Sequence, residues 1–375
     1  MDGAAKRGPD EVGGGALTKR ARFDGDGGPN GTQKLVVSSD AKGRGQLVAS
    51  IKRTSGLQAP IVKFEGHGSE VLDIKFDATG ETLASGSTDR SINLWRVYGD
   101  GERANFGVLK GQNGAVTTLA WPSQGSPHLF AGSTDRTVAT FDTTSGAIVR
   151  RHRGHRGIVN CVDVTRGGRR ELVASASDDG LIKIWDIDSK EAIDEVELGY
   201  PVTAIKWSED GQQLYIGGID NDIHCFDLRT KSVLYSLHGH NDTITSLSLS
   251  PSGTHVLSAS ADDTLKIWDV RPFAPVTSSA GDPNADPRLY KTLPGAMSGF
   301  EGWLRKAAWD RDGSRVAVGG ADRCVTIYNV EQSRMTHKLP GHTGFTTSVA
   351  FSPSDNIVAS AATDRTIYLG EIPER

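Results

Sequence analysis

The sequence has little cysteine, with three in 375 residues, at Cys161, Cys225 and Cys324. They are odd in number, far apart and each inside an apolar run, which favours reduced, buried thiols over a disulfide framework or a zinc site. No apolar run approaches the ~18 residues that a membrane span requires, and the N-terminal stretch lacks the apolar core of a signal peptide. There is also no phosphate-binding glycine loop, no His/Cys cluster at metal spacing and no isolated carboxylate pair. We therefore expect no metal, no cofactor, no small-molecule substrate and no membrane contact.

The main pattern in the sequence is a series of short apolar runs. Hydrophobic residues make up 37% of the chain and charged residues 23%, with 45 glycines and seven tryptophans. Apolar runs of four to six residues without a helical stripe predict many short strands joined by turns, an all-β protein. The formal charge of -4 weakly disfavours a surface built to bind nucleic acid.

Residues 1–56 differ in composition from the rest. They hold 12 glycines, ten Lys or Arg against six Asp or Glu, and almost no aromatic residue. Such a segment cannot bury enough apolar surface to offset its chain entropy, so we expect it to be disordered. Two basic clusters, Lys6-Arg7 and Lys19-Arg20-Ala21-Arg22, stand eleven residues apart, as in a bipartite nuclear import signal. The alternative is a solvated basic tail that contacts nothing or holds RNA phosphates loosely.

From about residue 57 the sequence repeats one unit, in which a Gly-His pair precedes two strands joined by a turn with aspartate. The turn aspartate recurs at steps of 46, 44, 41, 42, 60 and 42 residues: Asp89, Asp135, Asp179, Asp220, Asp262, Asp322 and Asp364. Six residues after each lies a strand position, held by Trp95, Phe141, Trp185, Phe226, Trp268, Tyr328 and Gly370. An apolar strand precedes each: 71–76, 116–121, 158–164, 202–207, 244–249, 304–309 and 346–351.

This pattern resembles the WD-repeat family, in which each repeat of about 40 to 45 residues forms a four-stranded propeller blade. The resemblance covers residues 57–375 and implies a seven-bladed β-propeller. The seventh repeat lacks an outer strand, whereas residues 59–64 form a strand that belongs to no repeat. We therefore expect this N-terminal strand to complete the seventh blade, with Pro60 at an edge where its missing N–H costs nothing.

Histidine, serine and aspartate in the repeats could in principle be base, nucleophile and orienting group. The trio recurs with a tryptophan each time, whereas an enzyme needs one active site. In WD-repeat proteins these groups form a buried chain from Trp to Ser to His to Asp. The resemblance implies such structural networks at His67, Ser85, Asp89 and Trp95; His155, Ser175, Asp179 and Trp185; and His240, Ser258, Asp262 and Trp268.

The other repeats depart from this set. Repeat seven keeps His342, Ser360 and Asp364 but has Gly370 at the tryptophan position. Repeat two has Gln112 in place of histidine, and repeats four and six lack the Gly-His pair. We expect these blades to depend on apolar packing.

Two further features concern the surface. The 60-residue step marks an insertion. Residues 270–303 are predicted to form a loop between blades five and six, which either contacts a partner or is an extension without a role.

An arginine follows the turn aspartate in four repeats, and in a propeller these turns share one face around the central channel. Four guanidinium groups there could hold carboxylates or phosphates, or could simply be solvated. They are Arg90, Arg136, Arg323 and Arg365.

Several strings outside the repeat consensus resemble one branch of the family, the WD-repeat subunits of the U5 small nuclear ribonucleoprotein: 57–61, 217–223, 268–275, 338–342 and 368–372. The resemblance implies a nuclear, non-catalytic scaffold in pre-mRNA splicing. Its implied partners are the large U5 scaffold protein and other spliceosomal proteins, with U5 snRNA contacted at most indirectly.

The alternative is a WD-repeat substrate receptor of a cullin-RING ubiquitin ligase. The strings that end at Arg229 and Arg271 are similar to the Trp-Asp-x-Arg signature with which some propellers dock to the ligase adaptor. An arginine two residues after aspartate is, however, also common at a strand end.

Overall fold

The computed structural model describes residues 53, 55–99, 104–122, 125–166, 171–274, 286–294 and 303–373. The chain divides into two units, Met1–Arg53 and Thr54–Arg375. The predicted import clusters at Lys6, Arg7, Lys19, Arg20 and Arg22 lie outside the described residues. No described helix is long and apolar enough to cross a membrane.

The second unit is a seven-bladed β-propeller, as the sequence predicted. Every blade is an antiparallel sheet of four strands, and in blades one to six the strands follow chain order from the innermost to the outermost. The strands of blades one to four are β2 Val71–Phe76, β3 Thr82–Ser87, β4 Ile92–Arg96 and β5 Asn105–Leu109; β6 Val116–Ala120, β7 His128–Ser133, β8 Thr137–Asp142 and β9 Ile148–Arg153; β10 Val159–Val164, β11 Leu172–Ser177, β12 Leu181–Asp186 and β13 Asp194–Glu197; and β14 Val202–Trp207, β15 Gln213–Gly218, β16 Ile223–Asp227 and β17 Ser232–Leu237. Those of blades five to seven are β18 Ile244–Leu249, β19 His255–Ser260, β20 Thr264–Asp269 and β21 Leu289–Pro294; β22 Leu304–Trp309, β23 Arg315–Gly320, β24 Cys324–Asn329 and β25 Arg334–Pro340; and β26 Thr346–Phe351, β27 Ile357–Ala362, β28 Thr366–Glu371 and β1 Ile61–Glu65.

The innermost strands of neighbouring blades contact one another in a closed cycle, from β2 through β6, β10, β14, β18 and β22 to β26 and back to β2. The core lies between adjacent sheets. For example, Ile182 and Ile184 of blade three belong to one buried cluster with Trp207 and Leu214 of blade four. Because the second strand of each blade is covered on both faces, it is mostly apolar or small after its first residue, as in the fully buried run Val173–Ser177.

The ring closes through strand β1, which pairs antiparallel with β28 from Ile61 opposite Gly370 to Glu65 opposite Thr366. Phe64 of this strand is buried and stacks on Trp95 of blade one, with ring centroids 5.1 Å apart. The N–H of Glu371 also donates to the carbonyl of Pro60 at 2.8 Å. Closure by the N-terminal strand is therefore confirmed, although the strand covers residues 61–65 instead of 59–64.

The prediction that residues 270–303 form a loop is wrong in part, because Leu289–Pro294 is strand β21 at the outer edge of blade five. It pairs with β20, placing Leu289 opposite Trp268 and Leu293 opposite Leu265. The pairing contains a bulge between the two leucines, so their buried side chains lie on opposite faces of the sheet, Leu289 in one core cluster with Trp268 and Leu293 in another with Leu265. Every blade needs a fourth strand, and in blade five only this interval can supply it.

Candidate functional site

Each blade turns from its second to its third strand at an aspartate, and in blades one, two, three, five and seven this aspartate fixes two loops at once. In blade one, Asp89 Oδ1 accepts from the N–H of Ser91 at 2.9 Å, and Oδ2 accepts from Gly68 N–H at 2.8 Å in the loop that enters the blade. Asp179 binds the N–H of Arg156 in the same manner at 2.7 Å. The carboxylate thus ties the turn to the neighbouring loop of its own blade.

The residue after each turn aspartate has a left-handed backbone. The φ angles lie between 62° and 76° at Arg90, Arg136, Gly180, Asn221, Asp263, Arg323 and Arg365. Asparagine, aspartate and glycine adopt this region readily, whereas other residues pay about 1–2 kcal/mol. The fold therefore holds four arginines at positions where the backbone alone would favour glycine.

Blades one, three and five each bring the four predicted residues together in one hydrogen-bonded chain. The tryptophan Nε1–H donates to the serine Oγ at 2.8 Å in all three blades. The serine Oγ lies 2.6, 2.7 and 2.7 Å from the histidine Nε2, and the histidine Nδ1 lies 3.0, 3.0 and 2.9 Å from the aspartate Oδ2. All three serines are fully buried, so their hydroxyls are out of reach of a substrate. The sets are His67, Ser85, Asp89 and Trp95; His155, Ser175, Asp179 and Trp185; and His240, Ser258, Asp262 and Trp268.

Burial sets the protonation of these chains. It lowers the pKa of His67 and of His155, and the hydrogen bonds to their aspartates do not offset it. Burial opposes ionisation of Asp179, but hydrogen bonds from the N–H of Arg156, other turn donors and His155 outweigh it and lower its pKa. A neutral imidazole next to an ionised carboxylate follows.

Blade seven has three of the four groups. His342 contacts Ser360 Oγ at 2.8 Å and Asp364 Oδ2 at 3.2 Å. In place of an indole, the ring of Tyr368 meets His342 edge-on, with centroids 4.7 Å apart. Despite burial, hydrogen bonds from Thr366 and other donors lower the pKa of Asp364 to about 2.

The three remaining blades pair their turn aspartate with a different basic side chain, so they do not depend on apolar packing alone. Arg151 contacts Asp135 at 3.3 Å in blade two, His224 contacts Asp220 at 2.6 Å in blade four, and Lys338 contacts Asp322 at 2.7 Å in blade six. The sequence reasoning missed these partners. Arg151 and Lys338 both stand 16 residues after their aspartate, on the outermost strand. A basic residue at that spacing in repeats without the Gly-His pair was the available signal.

A belt of side chains on the innermost strands links one blade to the next. Thr117 of blade two donates to the carbonyl of Val159 in blade three at 2.5 Å, and Thr347 of blade seven donates to Val71 of blade one at 2.6 Å. Equivalent bonds run from Asn160 to Val202, from Thr203 to Ile244 and from Thr245 to Arg305. These repeated links require the innermost strands to point the same way. All seven aspartate turns therefore lie on one face of the ring, which we call the turn face.

Arg90, Arg136, Arg323 and Arg365 lie on the turn face in blades one, two, six and seven, which are consecutive around the ring. We call this set the arginine arc. All four side chains are exposed, and within the described residues none forms an ion pair. The turns join second and third strands, so the arc lies outside the ring of innermost strands. The arc thus surrounds the central channel on the turn face and does not line the channel wall.

The opposite part of the turn face is acidic. Blades four and five carry Asp220 and Asp222 in one turn, Asp242 in the loop that enters blade five, and Asp263 in the next turn. His238 faces Asp222 at 2.9 Å and offsets its charge only when protonated. The turn face thus has an arginine side and an aspartate side.

Two further observations concern possible metal ligands and the arginines of the ligase-like strings. Over the described ranges, no group of three His, Cys, Asp or Glu side chains could hold a metal ion, and the three cysteines are free thiols. Arg271, in the string compared with the ligase signature, folds back onto Asp269 with Nε 3.0 Å from each carboxylate oxygen. Arg229 is exposed at the corresponding place in blade four.

A family model for the WD domain, G-beta repeat, matches the chain seven times, over residues 58–96, 104–142, 146–186, 197–227, 231–269, 289–329 and 333–369. The sixth match begins at strand β21 and so includes the outer strand that the sequence reasoning had assigned to a loop.

Proteins similar to the chain over most of its length include splicing factors. Pre-mRNA-splicing factor cwf17 of Schizosaccharomyces pombe is 40% identical over 322 residues, which cover 86% of this chain and 90% of that protein. The U5 small nuclear ribonucleoprotein 40 kDa protein of Dictyostelium discoideum is 42% identical over 348 residues, 92% of this chain and 94% of that protein. The human protein of the same name is 43% identical over 327 residues, 87% of each. These comparisons give no support to a ligase receptor.

Proposed function

This chain belongs to the WD-repeat family, in the group of U5 small nuclear ribonucleoprotein 40 kDa proteins, and from that premise we propose that it is a non-catalytic scaffold of the spliceosome. The observation that carries the proposal is identity of 40–43% over 86–92% of this chain and 87–94% of the similar proteins. On this proposal the protein works in the nucleus, in pre-mRNA splicing. Its principal partner is the large scaffold protein of the U5 particle.

The buried networks support the non-catalytic part of the proposal. Catalysis by a serine–histidine pair needs a nucleophile that reaches a substrate. Here the three serine hydroxyls are fully buried and already bonded to a tryptophan and a histidine. Three copies of one arrangement in separate blades stabilise the fold and do not form one active site.

The charge of the chain supports docking through protein instead of RNA. With a formal charge of -4, the protein lacks the excess of cations with which nucleic-acid binders neutralise phosphates. The U5 RNA would then be contacted at most indirectly. We expect association with U5 particles to weaken with salt far less steeply than the binding of a protein that neutralises many phosphates.

Affinity purification of the tagged full-length chain from nuclear extract, at moderate salt, tests the function. The expected result is co-purification of the large U5 protein and U5 RNA, with the protein contact retained after RNase treatment. Recovery of a cullin and its adaptor instead, lost in an Arg229→Ala or Arg271→Ala variant, would establish the ligase alternative.

The basic clusters before residue 57 lead to a second proposal, that they form the nuclear import signal. Deletion of residues 1–50 should shift a fluorescently tagged chain towards the cytoplasm. Replacing only Lys6, Arg7, Lys19, Arg20 and Arg22 by alanine should do the same. Unchanged nuclear accumulation of both variants would mean that this segment is not the import signal.

A further inference from the structure

We propose that the arginine arc, together with Trp303 and Phe345, docks an acidic peptide segment that carries a large apolar side chain. This inference deepens the proposed function, because it names the chemistry of the protein segment that meets this face.

The arc offers four exposed cations that form no ion pair with any residue the structure describes. Their Cα atoms sit in tight left-handed turns, with φ between 65° and 69°. The aspartate before each arginine is already bonded within its own blade, for example Asp89 to His67 at 3.0 Å and Asp135 to Arg151 at 3.3 Å. The guanidinium groups are therefore left free to meet an external anion, and their planar fork suits a carboxylate.

Two exposed aromatic residues stand next to the arc. Trp303 and Phe345 directly precede the innermost strands of blades six and seven and are 57% and 48% exposed. Phe345 exchanges hydrogen bonds of 3.0 Å with Thr363, two residues before Arg365. The guanidinium of Arg305 lies 5.7 Å from the Trp303 ring centroid. Exposed aromatic groups flanked by arginines are typical anchors of a protein interface.

Charge favours a peptide over RNA. The arc covers four of seven blades, and the adjoining side of the same face carries Asp220, Asp222, Asp242 and Asp263. A nucleic-acid strand places a phosphate at every nucleotide, so it would be repelled wherever it left the arc. A peptide can confine its carboxylates to the arc and present an apolar side chain to Trp303 and Phe345.

The probe for the test is a short fluorescent peptide of glutamates around one phenylalanine, with a glutamine-for-glutamate version as its charge control. Fluorescence anisotropy with the full-length chain should detect binding of the acidic peptide only. Replacing all four arc arginines by glutamate should weaken that binding by roughly tenfold or more. Replacing them by lysine should weaken it less. The four-glycine variant preserves the left-handed turns and should bind like the glutamate variant or slightly better.

A matched variant controls for net charge. Four exposed cations at or between the end of a third strand and the start of a fourth strand lie towards the opposite face. Their reversal to glutamate should leave peptide binding within about twofold. They are Arg96, Lys190, Arg229 and Arg334. Equal loss in both sets would overturn the inference, as would equal binding of the arc variants and the unmodified chain.

The apolar part is tested by a double-mutant cycle. The Trp303→Ala/Phe345→Ala variant should bind the phenylalanine peptide more weakly, but should not discriminate it from a peptide with alanine in its place. Additive losses would show that the aromatic pair does not hold the anchor. A single-stranded oligouridine probe tests the other class of ligand, and tight arc-dependent binding of it without peptide binding would overturn the inference.

The same variants separate this inference from the proposed function. If the unmodified chain fails to purify with U5 particles, the proposed function fails, whatever the peptide does. If it does purify with them and the arc-to-glutamate variant purifies equally well, the spliceosomal role stands and the docking surface is elsewhere.

Discussion

At the scale of single residues, the turn aspartate is the group on which each blade depends most. In blades one, two, three, five and seven its carboxylate accepts hydrogen bonds from the turn and from the preceding loop, and in every blade except two and six it also contacts a histidine. A buried donor that loses its partner costs about 1–3 kcal/mol. The blades differ in whether the basic side chain that contacts the aspartate can reach water once the carboxylate is removed.

Asp179→Ala and Asp135→Ala expose this difference. Asp179→Ala should lower the free energy of unfolding by roughly 2–4 kcal/mol, because it leaves the buried His155 and the N–H of Arg156 without their hydrogen-bond acceptor. Asp135→Ala should cost visibly less, because the side chain of Arg151 is 18% exposed and can turn to water. Urea denaturation of the two variants compares the losses. Equal losses would mean that the histidine adds nothing to its network.

The arginines after the aspartates allow a second test. Arg90→Gly should be neutral or stabilise the fold by up to about 1 kcal/mol, since glycine adopts φ near +68° without strain. Gly180→Ala, at the same place in blade three, should destabilise by about 1 kcal/mol, because its φ is +76° and its Cβ would approach Tyr200 N at 3.1 Å. Thermal melts that compare each variant with the unmodified chain measure both changes in stability. A clear loss in Arg90→Gly would mean that the arginine stabilises the fold instead of serving recognition.

At the scale of the strands, local pattern carried most of the information. Five of the seven innermost strands begin and end where the apolar runs predict, among them Val71–Phe76 and Leu304–Trp309. Each of these runs is bounded on both sides by turn-forming residues, which define its ends. The outer strand Leu289–Pro294 was missed, since it is short and a bulge places its two buried leucines on opposite faces, so its apolar residues do not alternate. The belt of Thr117, Thr203 and their equivalents could not be read from sequence, because its partners lie about 40 residues away in the next blade. The cations that replace histidine at Asp135 and Asp322 lie on outermost strands, far from the turns that define the repeat.

Strand β1 gives the prediction at this scale. A chain lacking residues 1–50 should melt like the full chain, whereas one lacking residues 1–66 should melt at a clearly lower temperature. The longer deletion removes the ladder with β28 and the buried ring of Phe64. Phe64→Ala in the full chain should cost about 3–5 kcal/mol, as expected for a buried phenylalanine. A 67–375 fragment that melts like the full chain would show that the ring closes another way.

At the scale of the whole molecule, the networks make stability depend on pH. Burial lowers the pKa of His67, His155 and His342 in the folded state, below their ordinary value near 6.5. Between those two values the unfolded chain binds more protons than the folded one, so acidification favours unfolding. The turn carboxylates, whose pKa values are also lowered, add a second loss below about pH 4.

The melting temperature should therefore be constant near neutral pH and fall as the pH drops below about 6.5. Over that range each histidine should lower the free energy of unfolding by up to about 1.4 kcal/mol per pH unit. A His67→Gln/His155→Gln/His342→Gln variant should be less stable at neutral pH but flatter between pH 6.5 and 5. Scanning calorimetry across this range measures both. A triple variant with the slope of the unmodified protein would assign the acid sensitivity to other groups.

The pairing of β1 with β28 also bears on how the protein is made. The two strands are roughly 300 residues apart in the chain, yet they share one sheet. At the ribosome's rate of about 5–20 residues per second, β1 emerges tens of seconds before the strand it must join. During that interval Phe64 has no aromatic partner until Trp95 is made, and the face of blade one that packs against blade seven stays uncovered. Synthesis of this propeller therefore leaves an unpaired strand edge open to solvent throughout translation, which is the situation in which nascent chains depend on chaperones.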